Sequence, residues 1–491
     1  MSVPALPGFH PDPSIVRVGD RYLMVTSSFE YLPGIPVFQS EDLNSWKLIG
    51  HVATRPGQLA VEETITGGGS WAPTIRFRDG LYYVIVTDAF GRGNLLFSAE
   101  DPAGPWSDGL PLKISGIDPD LAWDESGTCY VTFSGLELGG DRPGSHRGIQ
   151  QARIDLVSGE LLESPRSLWS GTGGMFPEAP HLYKIGDWWY LLIAEGGTER
   201  GHSASIARSQ APTGPFEACP DNPLITARGT DRRVQCTGHG DLVQTPDGDW
   251  YLVLLGTWAL GMTRAFAPLG RETYITRVTW EQGWPRVAPI LARDRTPLPP
   301  SLDDFASKEL DLGWISVRRL PTSVGRLEAG ALIIDGEGRS MSHSAPTFIG
   351  RRQTRVYGRI GATLEPVADG TVGGLCLRYD EQTHYDLEVR SDRVIARAVL
   401  PSIEQLREIE RPPGPLQLAF ELREPPGGPA MGSCDLIDLV VTAGDIRHVV
   451  TTLDGRFLSS DSACSFTGRV AGVYCEAGQL RLTRFEETDP A

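Results

Sequence analysis

Residues 178–197 read EAPHLYKIGDWWYLLIAEGG. A polar residue and a Pro precede a short run of alternating character. Gly186 and Asp187 then reverse the chain, and a second run gathers Trp188, Trp189, Tyr190, Leu191, Leu192 and Ile193. Aromatic and branched apolar side chains suit a pleated, half-buried surface, and Gly-Asp pairs suit tight reversals, so the stretch reads as a β-hairpin. The same order of events recurs four more times. Asp12 opens DPSIVRVGDRYLMVTSS (12–28), Trp71 opens WAPTIRFRDGLYYVIVTD (71–88), Asp118 opens DPDLAWDESGTCYVTFS (118–134) and His239 opens HGDLVQTPDGDWYLVLLG (239–256). The leads stand 47 to 61 residues apart, a period that marks a repeat architecture. Further strand partners follow the hairpins, as in DLNSWKLIGHV (42–52), AGPWSDGLPLK (103–113) and TGPFEACPDNPL (213–224). Sheets of about four strands repeated radially five times make a five-bladed β-propeller. Five repeats in register argue against a plain sandwich with accidental similarity.

Outward from the repeats, PLPPSLDD (297–304) is a Pro-rich boundary. Beyond it short strands continue, among them GTVGGLCLRYDEQTHYDLEVRSD (370–392), PLQLAFELRE (415–424) and CDLIDLVVTAGDIRHVVTTLDG (434–455). These predict a β-sandwich. The expected fold class is therefore all-β. A five-bladed propeller spans residues 1–298, and a sandwich of the concanavalin or jelly-roll kind spans 299–491. A chain of 491 residues is long for one core, and 57 Gly with 38 Pro supply many turns, which agrees with two all-β domains.

Charge narrows the function. A formal net charge of -17 argues against a nucleic-acid partner, because phosphates need clustered Lys and Arg. No apolar run approaches the length of a membrane span. The opening MSVPALPGFHPDPS has neither a charged leader nor an apolar core, so a cytoplasmic location is expected. The cysteines Cys129, Cys219, Cys236, Cys376, Cys434, Cys464 and Cys475 form no CxxC pair, and an odd, scattered set suits reduced thiols.

Equivalent positions of a propeller ring its axis, so Asp12, Trp71, Asp118, Glu178 and His239 are expected at one mouth of the channel. Cleaving an acetal needs a proton for the leaving oxygen and an attack on the far face of the sugar, which a protonated and an ionised carboxyl group supply. A third carboxylate can raise the pKa of the acid by repulsion. A Trp offers a flat apolar face to sugar C–H groups. Taken singly, each residue has a plainer role. Asp12 and Asp118 stand before Pro, a common turn pairing. Glu178 suits a loop ion pair, Trp71 a core position and His239 a hydrogen-bonded interior position. Their shared place in the repeat carries the functional reading.

With those segments in view, the first roughly 300 residues resemble family 43 glycoside hydrolases, in the β-xylosidase and α-L-arabinofuranosidase branch that carries a C-terminal β-sandwich. The matching segments include GFHPDPSIVRVGDRYLMVTSSFEYLPGIPVFQSEDLNSWKLIGHV, SWAPTIRFRDGLYYVIVTD, GIDPDLAWDESG, PEAPHLYKIGDWWYLLIAEGGT, CTGHGDLVQTPDGDWYLV and APLGRETYITRVTW. The resemblance implies that Asp12 is the general base, Glu178 the general acid and Asp118 the carboxylate that tunes and orients the acid. It implies pocket walls at Phe29 and Trp71, and an arginine reaching substrate hydroxyls at Arg271, whose plainer role is a surface ion pair with Glu272. It places His239 beneath the site, where many members hold calcium. Calcium prefers oxygen ligands, so such an ion would be completed by water and act structurally. Phe466, in FTGRVAGVYCE, is nominated as a side chain of the sandwich that closes the pocket.

The implied activity is inverting, exo-acting release of D-xylose, or of α-L-arabinofuranose, from short xylo- or arabinoxylo-oligosaccharides. The implied assembly is a homo-oligomer. Two other functions fit parts of the pattern. One is a non-catalytic carbohydrate-binding propeller. The other is a retaining propeller enzyme acting on sucrose or fructans, whose opening Asn-Asp-Pro-Asn motif differs from His10-Pro11-Asp12-Pro13-Ser14 here.

Overall fold

The computed structural model describes residues 3–139, 141–262, 264–429, 432–463 and 466–490. Five antiparallel sheets, each built from strands in chain order, follow one another along the first 287 residues. Their innermost strands are Ser14–Val18, Gly69–Arg78, Ile117–Trp123, Glu178–Ile185 and Val234–Gln244. These pack in a closed ring, the first against both the second and the fifth. The N-terminal segment helps close the ring, since Leu6 bridges Thr273 on the strand Arg271–Glu281 and His10 N–H donates to the Arg271 carbonyl at 3.0 Å. That closure sets Asp12 beside Arg271, residues 259 positions apart in the chain.

The inner strands share a backbone device. Asp12, Ala72, Asp118, Ala179 and His239 have φ of 57°, 43°, 52°, 49° and 49°, in the left-handed region that residues other than Gly seldom adopt. In the last four blades the ladder register also shifts at this point. Such bulges bend a strand and re-aim its side chains. The true equivalents are therefore Asp12, Ala72, Asp118, Ala179 and His239, each followed by Pro or Gly. Trp71 and Glu178 stand one residue earlier. The spacing of chemically conspicuous residues placed them one position off, because the bulge follows the backbone and not the side chain that precedes it.

Two residues further along four of the strands, and four further along the second, a second polar ring fills the axis. Ser14 Oγ donates to Asp241 Oδ2 at 2.7 Å, and Arg76 pairs with Asp120 at 2.7 Å and with Asp241 at 2.9 Å. His181 Nδ1 lies 2.9 Å from Arg76 Nη2. This buried ion-pair network plugs the channel below the mouth.

After the Pro-rich segment, Ser301–Asp303 pairs with the C-terminal strand Gln479–Thr488, so the chain joins the second domain's sheet at once. Two antiparallel sheets, of eight and six strands, face each other there. Along Val372–Asp380, Leu375, Leu377 and Tyr379 enter the core between the sheets, whereas Cys376 faces the propeller. The shared boundary includes an apolar patch, with Phe9, Phe29 and Tyr31 packed on Ile315, Val317, Met341, Phe348, Val470 and Tyr474. Tyr31–Leu32 also pairs with Ser316–Val317 across it. The six described cysteines are buried and in no disulfide, and Cys464 lies outside the described residues. Among the described residues no helix is long and apolar enough to cross a membrane.

Candidate active site

At the open mouth of the propeller lies a cavity of about 260 Å³ whose lining includes Asp12, Asp118, Glu178, Trp71, His239 and Arg271. Phe29 and Phe466 line it too, so all eight residues nominated from the sequence meet in one place.

The three carboxylates have different surroundings. Asp12 Oδ2 accepts a hydrogen bond from Ser27 Oγ at 2.6 Å, and Oδ1 accepts one from Arg271 Nη1 at 3.2 Å. His239 Nδ1 lies 3.4 Å from the same Oδ1. Burial by itself raises the pKa of Asp12, but Arg271, His239 and the Ser27 hydroxyl outweigh it and hold the group below the usual carboxylate range. Asp118 forms no direct ion pair among the described residues, and the more distant His181 and Arg271 do not offset its burial. Burial, and then repulsion from Asp12, push it up to about 7. Glu178 is raised well above the ordinary value by burial, then by Asp118 and Asp12. Asp118 and Glu178 titrate as a coupled pair. The arrangement suits an ionised Asp12 opposite a protonated Glu178 at neutral pH, the division of labour that acid–base catalysis needs. Asp118 Oδ2 also accepts the Ala179 N–H at 3.1 Å, which anchors the backbone next to Glu178.

Aromatic rings wall the cavity. Phe466 reaches in from the sandwich, with its ring centroid 6.3 Å from Phe29 and 6.0 Å from Trp71. The indole N–H of Trp71 donates to the Gly67 carbonyl at 2.6 Å. The loop carrying Gly67 is tied to the sandwich by a hydrogen bond from Thr66 to Glu381. Arg271 is buried and is not a surface partner of Glu272. It binds Asp12, Thr198 Oγ1 at 2.9 Å and the Phe466 carbonyl at 3.1 Å. Glu272 turns the other way and is held by Arg295 through contacts of 2.7 and 2.8 Å. Successive residues of a strand point to opposite faces, which separates the two.

Sequence reading missed Ser27, Phe176, Thr198, Glu199 and His202, all of which bind or surround the site. Thr198, Glu199 and His202 sit on the reversal between Trp188–Glu195 and Ser203–Ser209, away from the leads of the repeat. The Gly196-Gly197 pair beside them was the available signal.

His239 is the nominated ion ligand. Burial lowers its pKa to about 3, so the imidazole is neutral. The nearby carboxylate, Asp12, is engaged by Arg271 and Ser27. One imidazole and one engaged carboxylate offer calcium few protein ligands, so an ion held here would take most of its six to eight oxygens from water.

The raised pKa of Asp118 carries a stability consequence. A carboxyl that binds its proton more tightly in the folded state contributes stability below its unfolded pKa, and that contribution is lost as pH rises through about 7. Asp118→Asn removes the buried charge, and its amide oxygen can still accept the Ala179 N–H. The variant is expected to melt a few degrees above the wild type at pH 8, with the gap closing toward pH 4, for a difference on the order of 1–3 kcal/mol. Melting curves across that range check it, and an equal or lower melting temperature at pH 8 refutes it.

Comparison with known proteins places these features in context. Residues 1–285 match the family described as glycosyl hydrolases family 43, and residues 302–483 match the beta xylosidase C-terminal Concanavalin A-like domain. Over 499 residues the chain is 34% identical to a non-reducing end alpha-L-arabinofuranosidase, BoGH43B, of Bacteroides ovatus, covering 96% of this chain and 90% of that protein. It is 35% identical over 412 residues to a xylosidase/arabinosidase of Butyrivibrio fibrisolvens, covering 79% of each. The crystal structure of a xylan beta-1,4-xylosidase from Bacillus halodurans C-125 superposes with a TM-score of 0.89 at 30% identity, covering 100% of both chains.

Proposed function

The chain belongs to glycosyl hydrolase family 43, and from that membership we propose that it releases terminal D-xylose or α-L-arabinofuranose from short xylan-derived oligosaccharides with inversion of configuration. The observation that carries this reading is the split in proton affinity among the three carboxylates of one blind pocket. Asp12 is pinned in its ionised form, while Glu178 keeps its proton.

The chemistry follows from the residues. Asp12 takes a proton from a water molecule as that water attacks the anomeric carbon. Glu178 gives its proton to the glycosidic oxygen as the C–O bond breaks. Asp118 holds the backbone beside Glu178 and, when ionised, adds to the effect of burial in raising the acid's affinity for its proton. Arg271 and Ser27 fix the orientation of Asp12. The Arg76 network closes the channel below. A channel closed beneath the carboxylates suits entry of a sugar chain by its end, which supports exo action. Phe29, Trp71 and Phe466 offer apolar faces to one terminal sugar.

Product stereochemistry tests inversion. Proton NMR of nitrophenyl β-D-xyloside hydrolysis should show α-xylose first. First appearance of β-xylose would favour a retaining mechanism. Turnover of nitrophenyl β-D-xyloside and nitrophenyl α-L-arabinofuranoside tests the activity and ranks the two sugars. If both compounds and xylobiose are untouched, a carbohydrate-binding propeller is the better reading.

Phe466 belongs to the other domain, yet it meets both aromatic walls and binds Arg271 through its carbonyl. Phe466→Ala keeps the carbonyl and removes the ring. We expect a rise in KM on xylobiose of about tenfold, as for loss of one aromatic stacking face, and a weaker preference for short over longer xylo-oligosaccharides. Unchanged kinetics along the oligosaccharide series would remove Phe466 from the pocket's function.

A further inference from the structure

A second cavity, of about 170 Å³, lies between the two domains. His10, two residues before Asp12, contributes to its propeller wall, and Arg351, Arg352, Gln353 and Glu487 line its sandwich side. Arg352 ends the strand Phe348–Arg352 and is 8% exposed. Its guanidinium stacks over Phe9, 4.5 Å from the ring centroid. Its Nε and Nη2 are buried without a protein hydrogen-bond partner among the described residues. No described carboxylate pairs with it.

That is an unusual state for an arginine. A buried charge is normally paired and hydrogen-bonded, because taking it out of water is costly. A lysine in such a place can shed its proton, but a guanidinium remains charged at neutral pH. The ring of Phe9 offsets only part of the cost. The neighbours do not supply the missing charge. Glu487 is already engaged, accepting from Thr354 N–H, Arg355 N–H and the Thr354 hydroxyl at 2.8–2.9 Å. Arg351 adds a second cation, whose own partners are Asp303 and Asp311. His10 and His51, which feel the charge of Arg352, are kept neutral by burial and then by that charge. The lining leaves the Nε–H and Nη2–H groups of Arg352 without an acceptor among the described residues.

We infer that this interdomain cavity binds a small inorganic anion, chloride or a tetrahedral oxyanion such as phosphate, held by Arg352 as the counter-charge of the domain interface. The site is separate from the catalytic pocket, and the chain leading from His10 to Asp12 runs between them.

Thermal unfolding of the full chain at constant ionic strength tests this, with gluconate replaced stepwise by chloride in one series and by inorganic phosphate in another. The wild type should show a saturable rise in melting temperature on the order of 5 °C with the anion that fits. Arg352→Met removes the buried charge, so it should show no saturable response. Equal responses in both proteins, or none in the wild type, overturn the proposal. Crystals of the wild type grown in sodium bromide give an independent reading should Arg352→Met fail to fold. An anomalous peak within hydrogen-bond distance of Arg352 supports the site, and a cavity empty of bromide here and of phosphate in phosphate-grown crystals refutes it.

Discussion

Asp12→Asn is expected to lower turnover of xylobiose by on the order of 10²- to 10⁴-fold, the range typical for loss of a general base. Asn is close to Asp in shape, so its side-chain oxygen can keep a contact with Ser27 or Arg271, but it cannot accept a proton from water. The loss should be of similar size on xylobiose and on a nitrophenyl xyloside, since the base acts on the nucleophile and not on the leaving group. Asp12→Ala should lose activity too. It also strips Arg271 of its carboxylate partner and so adds a cost in stability, which makes Asn the cleaner probe. Steady-state kinetics on both substrates check the result. Turnover within tenfold of wild type would remove Asp12 from the role of base.

Glu178→Gln has a different expected signature. A sugar leaves poorly unless its oxygen is protonated, whereas a nitrophenolate leaves well without help. The variant should therefore lose on the order of 10²- to 10⁴-fold on xylobiose and far less on a dinitrophenyl xyloside. The pH profile provides a second reading. Glu178 works in its protonated form, and its pKa is raised by burial and by the charges of Asp118 and Asp12. Wild-type activity should thus persist through neutral pH and fall as the pH rises through the pKa of the coupled pair. The acid limb should follow Asp12, whose pKa lies below the usual carboxylate range. In Glu178→Gln the alkaline limb should vanish on the activated substrate. Equal losses on both substrates, with the alkaline limb intact, would place the acid elsewhere.

The two variants also separate the hydrolase from the binding module. A binding propeller would keep its affinity for sugar in both variants and show no turnover in any of the three proteins.

Much of this molecule was legible in the chain because hairpins are local. An aromatic run, a Gly-Asp reversal and a Pro after a polar lead act within about twenty residues, the length of the hairpin itself. That is why EAPHLYKIGDWWYLLIAEGG and its four counterparts announced an all-β repeat, and why Asp12, Asp118 and Glu178 stood out as acidic leads. The alignment of the leads was less secure. A left-handed backbone at Ala72 and Ala179 leaves no chemical mark, so Trp71 and Glu178 were matched in their place.

Sequence by itself determined the hairpins, the repeat and the supply of carboxylates and aromatic rings. Tertiary structure decided which of them work together. Arg271 follows Gly270 and precedes Glu272 in the chain, yet strand alternation and ring closure give it Asp12 as its partner. Phe466 reaches the mouth only because the sandwich packs on the propeller through Phe9, Phe29 and Tyr31. The division of proton affinity between Asp12 and Glu178 arises from burial and from charges brought close by the fold. Coulombic and desolvation effects depend on distance and on exclusion of water, and neither quantity is written in the order of residues.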